Sequence, residues 1–259
     1  MKTVILTTYK RAGYLNQVLE ALSQCFGIEE YTILFSCDVD ERYRAECQAV
    51  VNRVHEWKGP KQVYVHEPRL GIDVNKFFIW KKAFELSDYA IHLEDDCVPA
   101  KDFLRYHEWA SEKFRDEQKV MAVSAYQNDP LSFDVITPTM KRVRGMYNAY
   151  RGTGFNCWGW GTWKGRWETV IGDERAYRGY AGNQVNGRFD WWWKKWNDDH
   201  GTNQVCPFVA RVQNLVGLDG ENLGVNSLDE FAHKNHNPHG AWELEKLPDP
   251  NPGVWNINP

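Results

Sequence analysis

The chain has 259 residues, 42% apolar and 25% charged, with a net charge of −4 and a pI near 6.1. That balance describes a globular protein with a sizeable core. It excludes a basic nucleic-acid-binding domain but not a nucleotide ligand, which needs only a few local contacts.

The N-terminal stretch MKTVILTTYKRAG has an apolar run too short for a signal peptide and no small-residue cleavage site. Its TVILTT is β-rich and predicts a buried strand. GYLNQVLEALSQC then sets Leu15, Val18, Leu19 and Leu22 at helical spacing. YTILFSCD predicts a second strand, ERYRAECQAVVNRVHEW a second helix, and KQVYVHEP a third strand stopped by Pro68. DVNKFFIWKKAFEL reads as a third helix and YAIHLEDD as a fourth strand. Such alternation predicts βαβ units and a parallel sheet, which binds ligands beyond the carboxyl ends of its strands. The rule points at Thr7–Arg11, Asp38, Pro68–Lys76 and Glu94–Asp96.

Farther on, DFLRYHEWASEKFRDE reads as a helix, KVMAVSAYQ as a fifth strand, and residues 128–150 as a long loop with a basic MKRVRG stretch. PFVARVQNLVG predicts a late strand, and the Pro- and Asn-rich tail from Leu247 an extended one. No stretch approaches the roughly 20 apolar residues of a spanning helix. The six cysteines stand singly in apolar segments without a CxxC pair, so they are expected to be reduced thiols of a cytoplasmic protein.

Glu94, Asp95 and Asp96 crowd three like charges at the end of a buried strand, which is unfavourable unless something positive lies among them. A divalent cation suits them, since Mg²⁺ and Mn²⁺ take carboxylate oxygens and also bind phosphates. A solvated helix N-terminus is the plainer reading. Asn75 and Lys76 open the third helix, where an anion is favoured and the lysine adds a point charge. A helix cap plus a surface lysine is the alternative there.

The ordered set VILTTYKR, FSCD, EPRLGIDVNKFFIWKKAF and HLEDDCVP resembles nucleotide-sugar-dependent glycosyltransferases of the GT-A fold. The Glu-Asp-Asp form, in place of the usual Asp-x-Asp, looks most like the N-acetylglucosaminyltransferase I type. FNCWGWGTWKGRWE is similar to a segment of many bacterial and viral sugar transferases, and the resemblance covers roughly residues 3–215. It implies that Asp96 ligates Mn²⁺ or Mg²⁺ and that Glu94 and Asp95 face the donor sugar and ribose. It implies Asp38 as acceptor of a uracil N–H, Arg11 at the diphosphate, and Thr7 and Thr8 beside the base. An Asp after a strand is also a common turn or cap residue. The sequence shows no stretch like the membrane anchor of the Golgi enzymes, so the kinship is expected to be with soluble members.

Eight of the 13 tryptophans lie between Trp158 and Trp196. As a strand, CWGWGTWKGRW would present Trp158 and Trp160 on one face, an acceptor-sugar platform, with glycines admitting a ligand or another backbone. A core cluster is the alternative, above all for Trp163 and Trp167. In FDWWWKKWNDD, Trp192 and Trp196 are expected to form a core face. The resemblance implies a catalytic base in the DW context, Asp190, with Glu168 as second choice. Asp190 also suits a helix N-cap, and one residue can be both. In DEFAHKNHNPHG, His236 or His233 could join the metal, or the stretch with GLDGENLGVNS could form a lid.

The chain is therefore expected to be one α/β GT-A (Rossmann-like) domain with a mixed, mostly parallel sheet flanked by helices. Residues 1–100 would bind the nucleotide sugar, 101–215 the acceptor, and 216–259 would form lid and tail. The expected activity is metal-dependent, inverting transfer of a hexosyl or N-acetylhexosaminyl group from a UDP-linked donor to a glycan hydroxyl. A sugar nucleotidyltransferase and a non-catalytic carbohydrate-binding protein are the alternatives.

Overall fold

The computed structural model describes residues 1–126, 147–172, 189–215 and 256–257. The chain alternates as β1 (Lys2–Thr8), α1 (Ala12–Ser23), β2 (Tyr31–Asp38), α2 (Arg44–His55), β3 (Lys61–His66), α3 (Ile72–Phe84) and β4 (Tyr89–Glu94). Then follow β5 (Cys97–Pro99), α4 (Phe103–Lys113), β6 (Val120–Ser124), β7 (Asn148–Gly152), β8 (Trp160–Trp163), α5 (Lys164–Ile171) and α6 (Phe189–His200). The last strands are β9 (Asn203–Pro207), β10 (Val212–Asn214) and β11 (Asn256–Ile257).

Nine strands form one sheet in the order β11-β7-β9-β6-β8-β4-β1-β2-β3, and β5 pairs with β10 in a separate ribbon. The sheet is mixed and mostly parallel. β4, β1, β2 and β3 run parallel, while β8 is antiparallel to both its neighbours, β4 and β6. Register aligns the strand ends: Thr7 lies beside Ser36 and Glu94, and Asp38 beside His66. The carboxyl ends of β1, β2 and β4 thus share one edge.

Both faces of the sheet are buried, so its strands read as continuous apolar runs. Side chains alternate between two cores. Val4, Leu6, Ile33 and Phe35 meet α1, α2 and α4, with Leu15, Val18, Leu19 and Leu22 as the buried stripe of α1. Ile5, Leu34 and Ala90 face α3, α5 and α6. This second core is aromatic. Trp80 stacks on Trp167 at 4.8 Å and lies 4.6 Å from Trp160, and Trp193 meets Trp160 edge-on at 5.0 Å.

The structure corrects four expectations. Trp158 and Trp160 do not share a strand face, because Gly159 takes φ +58° and β8 begins only at Trp160. Trp158 packs with the first core, against Tyr126, while Trp160 is 0% exposed in the second. The buried face of α6 is Phe189, Trp193 and Asn197; Trp192 and Trp196 only flank it, and Trp191 is 53% exposed. The segment PFVARVQNLVG is not one strand. β9 ends at Pro207, which has no N–H to give, and the chain crosses to β5 as β10. β7 also begins inside the stretch read as a loop. All six cysteines are free, five of them buried. No helix among the described residues is long and apolar enough to cross a membrane.

His107 of α4 ties the turn before β8 to the first half of the sheet. Its Nε2 lies 3.1 Å from the Gly159 carbonyl and its Nδ1 2.8 Å from the Tyr89 hydroxyl. The carbonyl can only accept, so Nε2 carries the proton and Nδ1 accepts. Burial pushes His107 down to about 3. Burial, reinforced by the Lys76 charge, does the same to His92. Both are neutral when folded and protonate near their ordinary pKa when unfolded. Their contribution to stability is therefore full above about pH 6.5 and falls as pH drops below it, by up to about 1.4 kcal/mol per pH unit for each histidine. Urea midpoints for His107→Gln between pH 7.5 and 5 should show that slope reduced by one proton; an unchanged slope would refute the linkage.

Candidate functional site

A cavity of about 340 Å³ opens at the carboxyl edge of β1, β2 and β4. Thr7, Thr8 and Arg11 reach it from β1 and its loop, Asp38 from β2, Asn75 and Lys76 from α3, and Glu94, Asp95 and Asp96 from the end of β4. Trp158 and Asp190 border it from the second half of the chain. Eleven residues singled out in the sequence thus converge. Three do not. Trp160 is core. Glu168 is exposed on α5 and borders a different hollow, beside Phe84 and Glu85. His236 lies outside the described residues, as do His233, MKRVRG and GLDGENLGVNS.

The three adjacent carboxylates diverge in their partners. Glu94 accepts from Lys76 Nζ at 2.9 Å. Asp95 accepts from Arg11 Nη2 at 2.5 Å and from the Tyr9 amide at 3.4 Å. Asp96 lies 2.8 Å from the same Arg11 nitrogen and accepts from Asn214 Nδ2 at 3.3 Å. Two cations therefore serve three acids, Asp95 and Asp96 buried and Glu94 half-buried. Burial pushes Glu94 up, but the Lys76 ammonium outweighs it and holds the group below its ordinary value. Burial raises Asp95 despite Arg11. Asp96 is pushed up to about 7 by burial and by the charges of Glu94 and Asp95, which Arg11 offsets only in part. Asp96 is the carboxylate left short of positive charge.

A divalent cation fits that deficit. Glu94, Asp96 and Cys97 each bring a donor atom within 4.8 Å of the others. The carboxylate oxygens are what Mg²⁺ and Mn²⁺ take, with phosphate and water completing the shell. The Cys97 thiol, held far above its ordinary pKa by burial and by Asp96, stays protonated and offers little to a hard cation.

Asp38 already works within the fold. Its two oxygens accept from the Leu70 and Gly71 amides at 3.2 and 2.9 Å, shaping the loop into α3. Gly71 takes φ +83° there, a conformation that favours glycine. A carboxylate has about four acceptor positions, so room for a ligand donor remains. Asn75 Oδ1 is buried in the cavity wall with no hydrogen-bond partner among the described residues. Asp190 stands in the first turn of α6 and adds to the field that keeps Lys76 protonated.

Of the lining residues not singled out in the sequence, Arg69 and Asn214 contact the predicted acids. Arg69 lies over the Tyr9 ring at 4.3 Å, with its Nε 4.0 Å from Asp38. It falls inside the Pro68–Lys76 span that the strand-end rule marks. Asn214 carries no signal at all, since nothing in the sequence brings residue 214 to residue 96.

No protein-family model matches the chain, and no curated protein sequence matches it. Solved structures do. It is similar to the mannosyltransferase PcManGT from Pyrobaculum calidifontis, in complex with GDP-Man and Mn²⁺, over 84% of this chain and 57% of that one, at 15% identity and TM-score 0.49. It is similar to the glycosyltransferase GlyE of Streptococcus pneumoniae over 98% and 61%, at 11% identity and TM-score 0.47. It is also similar to 4-diphosphocytidyl-2C-methyl-D-erythritol synthase from Anaerococcus prevotii, over 80% and 87%, at 10% identity and TM-score 0.44. The chain thus spans less than two thirds of the length of both glycosyltransferases.

Proposed function

We propose that the chain is a nucleotide-sugar-dependent glycosyltransferase. It moves a hexosyl or N-acetylhexosaminyl group from a UDP-linked donor to a hydroxyl of a glycan acceptor, with inversion at the anomeric carbon. The charge inventory of the cavity carries this reading. Among its described lining residues six acids stand against four bases, and three of the acids are adjacent at the end of β4. A dianionic diphosphate is repelled by such a site unless a divalent cation enters with it. Mn²⁺ or Mg²⁺ held by Asp96, with Glu94 beside it, would neutralise charge on the departing diphosphate.

The chain's own groups do the rest. Arg11 offers its planar guanidinium to the diphosphate, and Lys76 adds a point charge. Asp38 accepts the base N–H, with Thr7 and Thr8 alongside and Arg69 on Tyr9 flanking the slot. Glu94, Asp95 and the unpartnered Asn75 Oδ1 accept from sugar and ribose hydroxyls. Trp158 offers a flat apolar face to the acceptor sugar. Asp190 takes the acceptor hydroxyl proton as that oxygen bonds to the anomeric carbon and the bond to the diphosphate breaks. Residues 1–100 thus serve mainly the donor and 101–215 the acceptor. The free cysteines suit a reducing compartment such as the cytoplasm.

Calorimetric titration with UDP and GDP, with and without Mn²⁺, tests the reading. Binding that needs both the metal and Asp96 is expected, followed by UDP release from UDP-sugars. Pyrophosphate release from UTP and a sugar phosphate would instead favour a nucleotidyltransferase. Glycan binding with no affinity for any nucleotide would favour a carbohydrate-binding protein.

A further inference from the structure

The ribbon of β5 and β10 lies outside the nine-stranded sheet, and it is built onto Asp96. Asn214 faces Cys97 across it. At one end the Leu215 amide donates to the Asp96 main-chain carbonyl at 2.9 Å; at the other the Ala100 amide donates to the Arg211 carbonyl at 2.9 Å. Arg211 anchors the ribbon from below. Its side chain is fully buried, with Nε 3.0 Å from Asp102 Oδ2, and its amide donates to Ala125.

Asp95 and Asp96 differ in what holds them. Asp95 takes both its donors, the Tyr9 amide and Arg11, from the loop after β1. Asp96 is gripped at both oxygens, Oδ2 by Arg11, and Oδ1 by Asn214 Nδ2 and by the thiol of the adjacent Cys97 at 3.5 Å. The Asn214 grip comes from 118 residues away in sequence. An amide N–H₂ suits that place: it orients a carboxylate without bringing a charge that would compete with a cation.

We propose that Asn214 is a positioning residue that holds Oδ1 of the Asp96 carboxylate and so fixes its orientation beside Glu94, preorganising the divalent-cation site. The inference rests on the reading of Asp96 as a metal ligand. Outer partners of this kind govern metal affinity as well as activity, by about 10–100-fold on substitution.

The test is Mn²⁺ binding followed by electron paramagnetic resonance of the free ion, with and without UDP. It compares the unaltered chain with Asn214→Ala, Asn214→Leu and Asp96→Ala. The leucine variant keeps the side-chain volume, should truncation unfold the ribbon. The proposal expects both Asn214 variants to raise the Mn²⁺ dissociation constant at least about tenfold, with unfolding in metal-free urea shifted far less than the metal affinity. A folded Asn214 variant with unchanged Mn²⁺ affinity overturns the proposal. If Asp96→Ala has lost Mn²⁺ in that experiment, the reading of Asp96 survives. No Mn²⁺ binding by the unaltered chain, or undiminished binding by Asp96→Ala, overturns both.

Discussion

Asp190→Asn is expected to lower sugar transfer by about 10²–10⁴-fold while leaving UDP binding intact. The asparagine keeps the shape and can still accept a hydrogen bond, but it cannot take a proton at neutral pH. Asp190 reaches the cavity from α6, while the donor-side acids arrive from β4. A loss confined to turnover is therefore expected. If Asp190 serves only the N-terminal turn of α6, the same substitution should cost at most about 1 kcal/mol, since asparagine caps as well as aspartate and only the charge at the helix N-terminus is lost, and it should spare transfer. Single-turnover transfer and equilibrium UDP binding, measured on one preparation, separate the two outcomes. Glu168→Gln is the control: exposed on α5 and away from the cavity, it should leave transfer unchanged. Equal losses for both variants would sink the assignment.

Gly159→Ala should cost about 2–5 kcal/mol of folding stability, from a left-handed backbone and overpacking together. An added Cβ would lie 2.5 Å from Val212 Cγ1, 3.0 Å from the Phe103 ring and 3.2 Å from Ala125 Cβ. Those neighbours belong to β10, α4 and the residue just after β6, so relief at one pushes on another. Gly165→Ala provides the contrast. It lies in α5 with nothing within 4 Å of the added carbon, and should stabilise by up to about 1 kcal/mol. Urea denaturation of the pair at pH 7.5 checks both signs. A loss below about 0.5 kcal/mol for Gly159→Ala would mean that the turn relaxes freely, contrary to this account.

The donor half of the site was legible because local rules suffice there. Period and punctuation locate β1 to β4, parallel order follows, and the strand ends bring Thr7, Asp38 and Glu94 to one edge. The tryptophans were harder. Trp158 and Trp160 lie two apart, which in an uninterrupted strand means one face. A single glycine with positive φ sends them into different cores, and sequence does not mark which glycines take that conformation. In α6 four tryptophans within six positions leave the helical period ambiguous, and only the docking of Phe189 and Trp193 on Trp160 decides it. Asn214 and Arg211 were invisible for another reason. Their partners, Asp96 and Asp102, lie more than a hundred residues earlier.

The reversed strand β8 also governs the order in which the molecule can assemble. During synthesis β1 to β4 emerge first and can pair among themselves, but the free edge of β4 then stands open. Its partner, Trp160–Trp163, leaves the ribosome roughly 70 residues later, several seconds at ordinary elongation rates of about 5–20 residues per second. Over that interval Tyr89–Leu93 presents an apolar, unpaired edge of the kind that recruits other chains. Yield on expression should therefore depend more on elongation rate and chaperone supply than the stability of the finished fold would suggest.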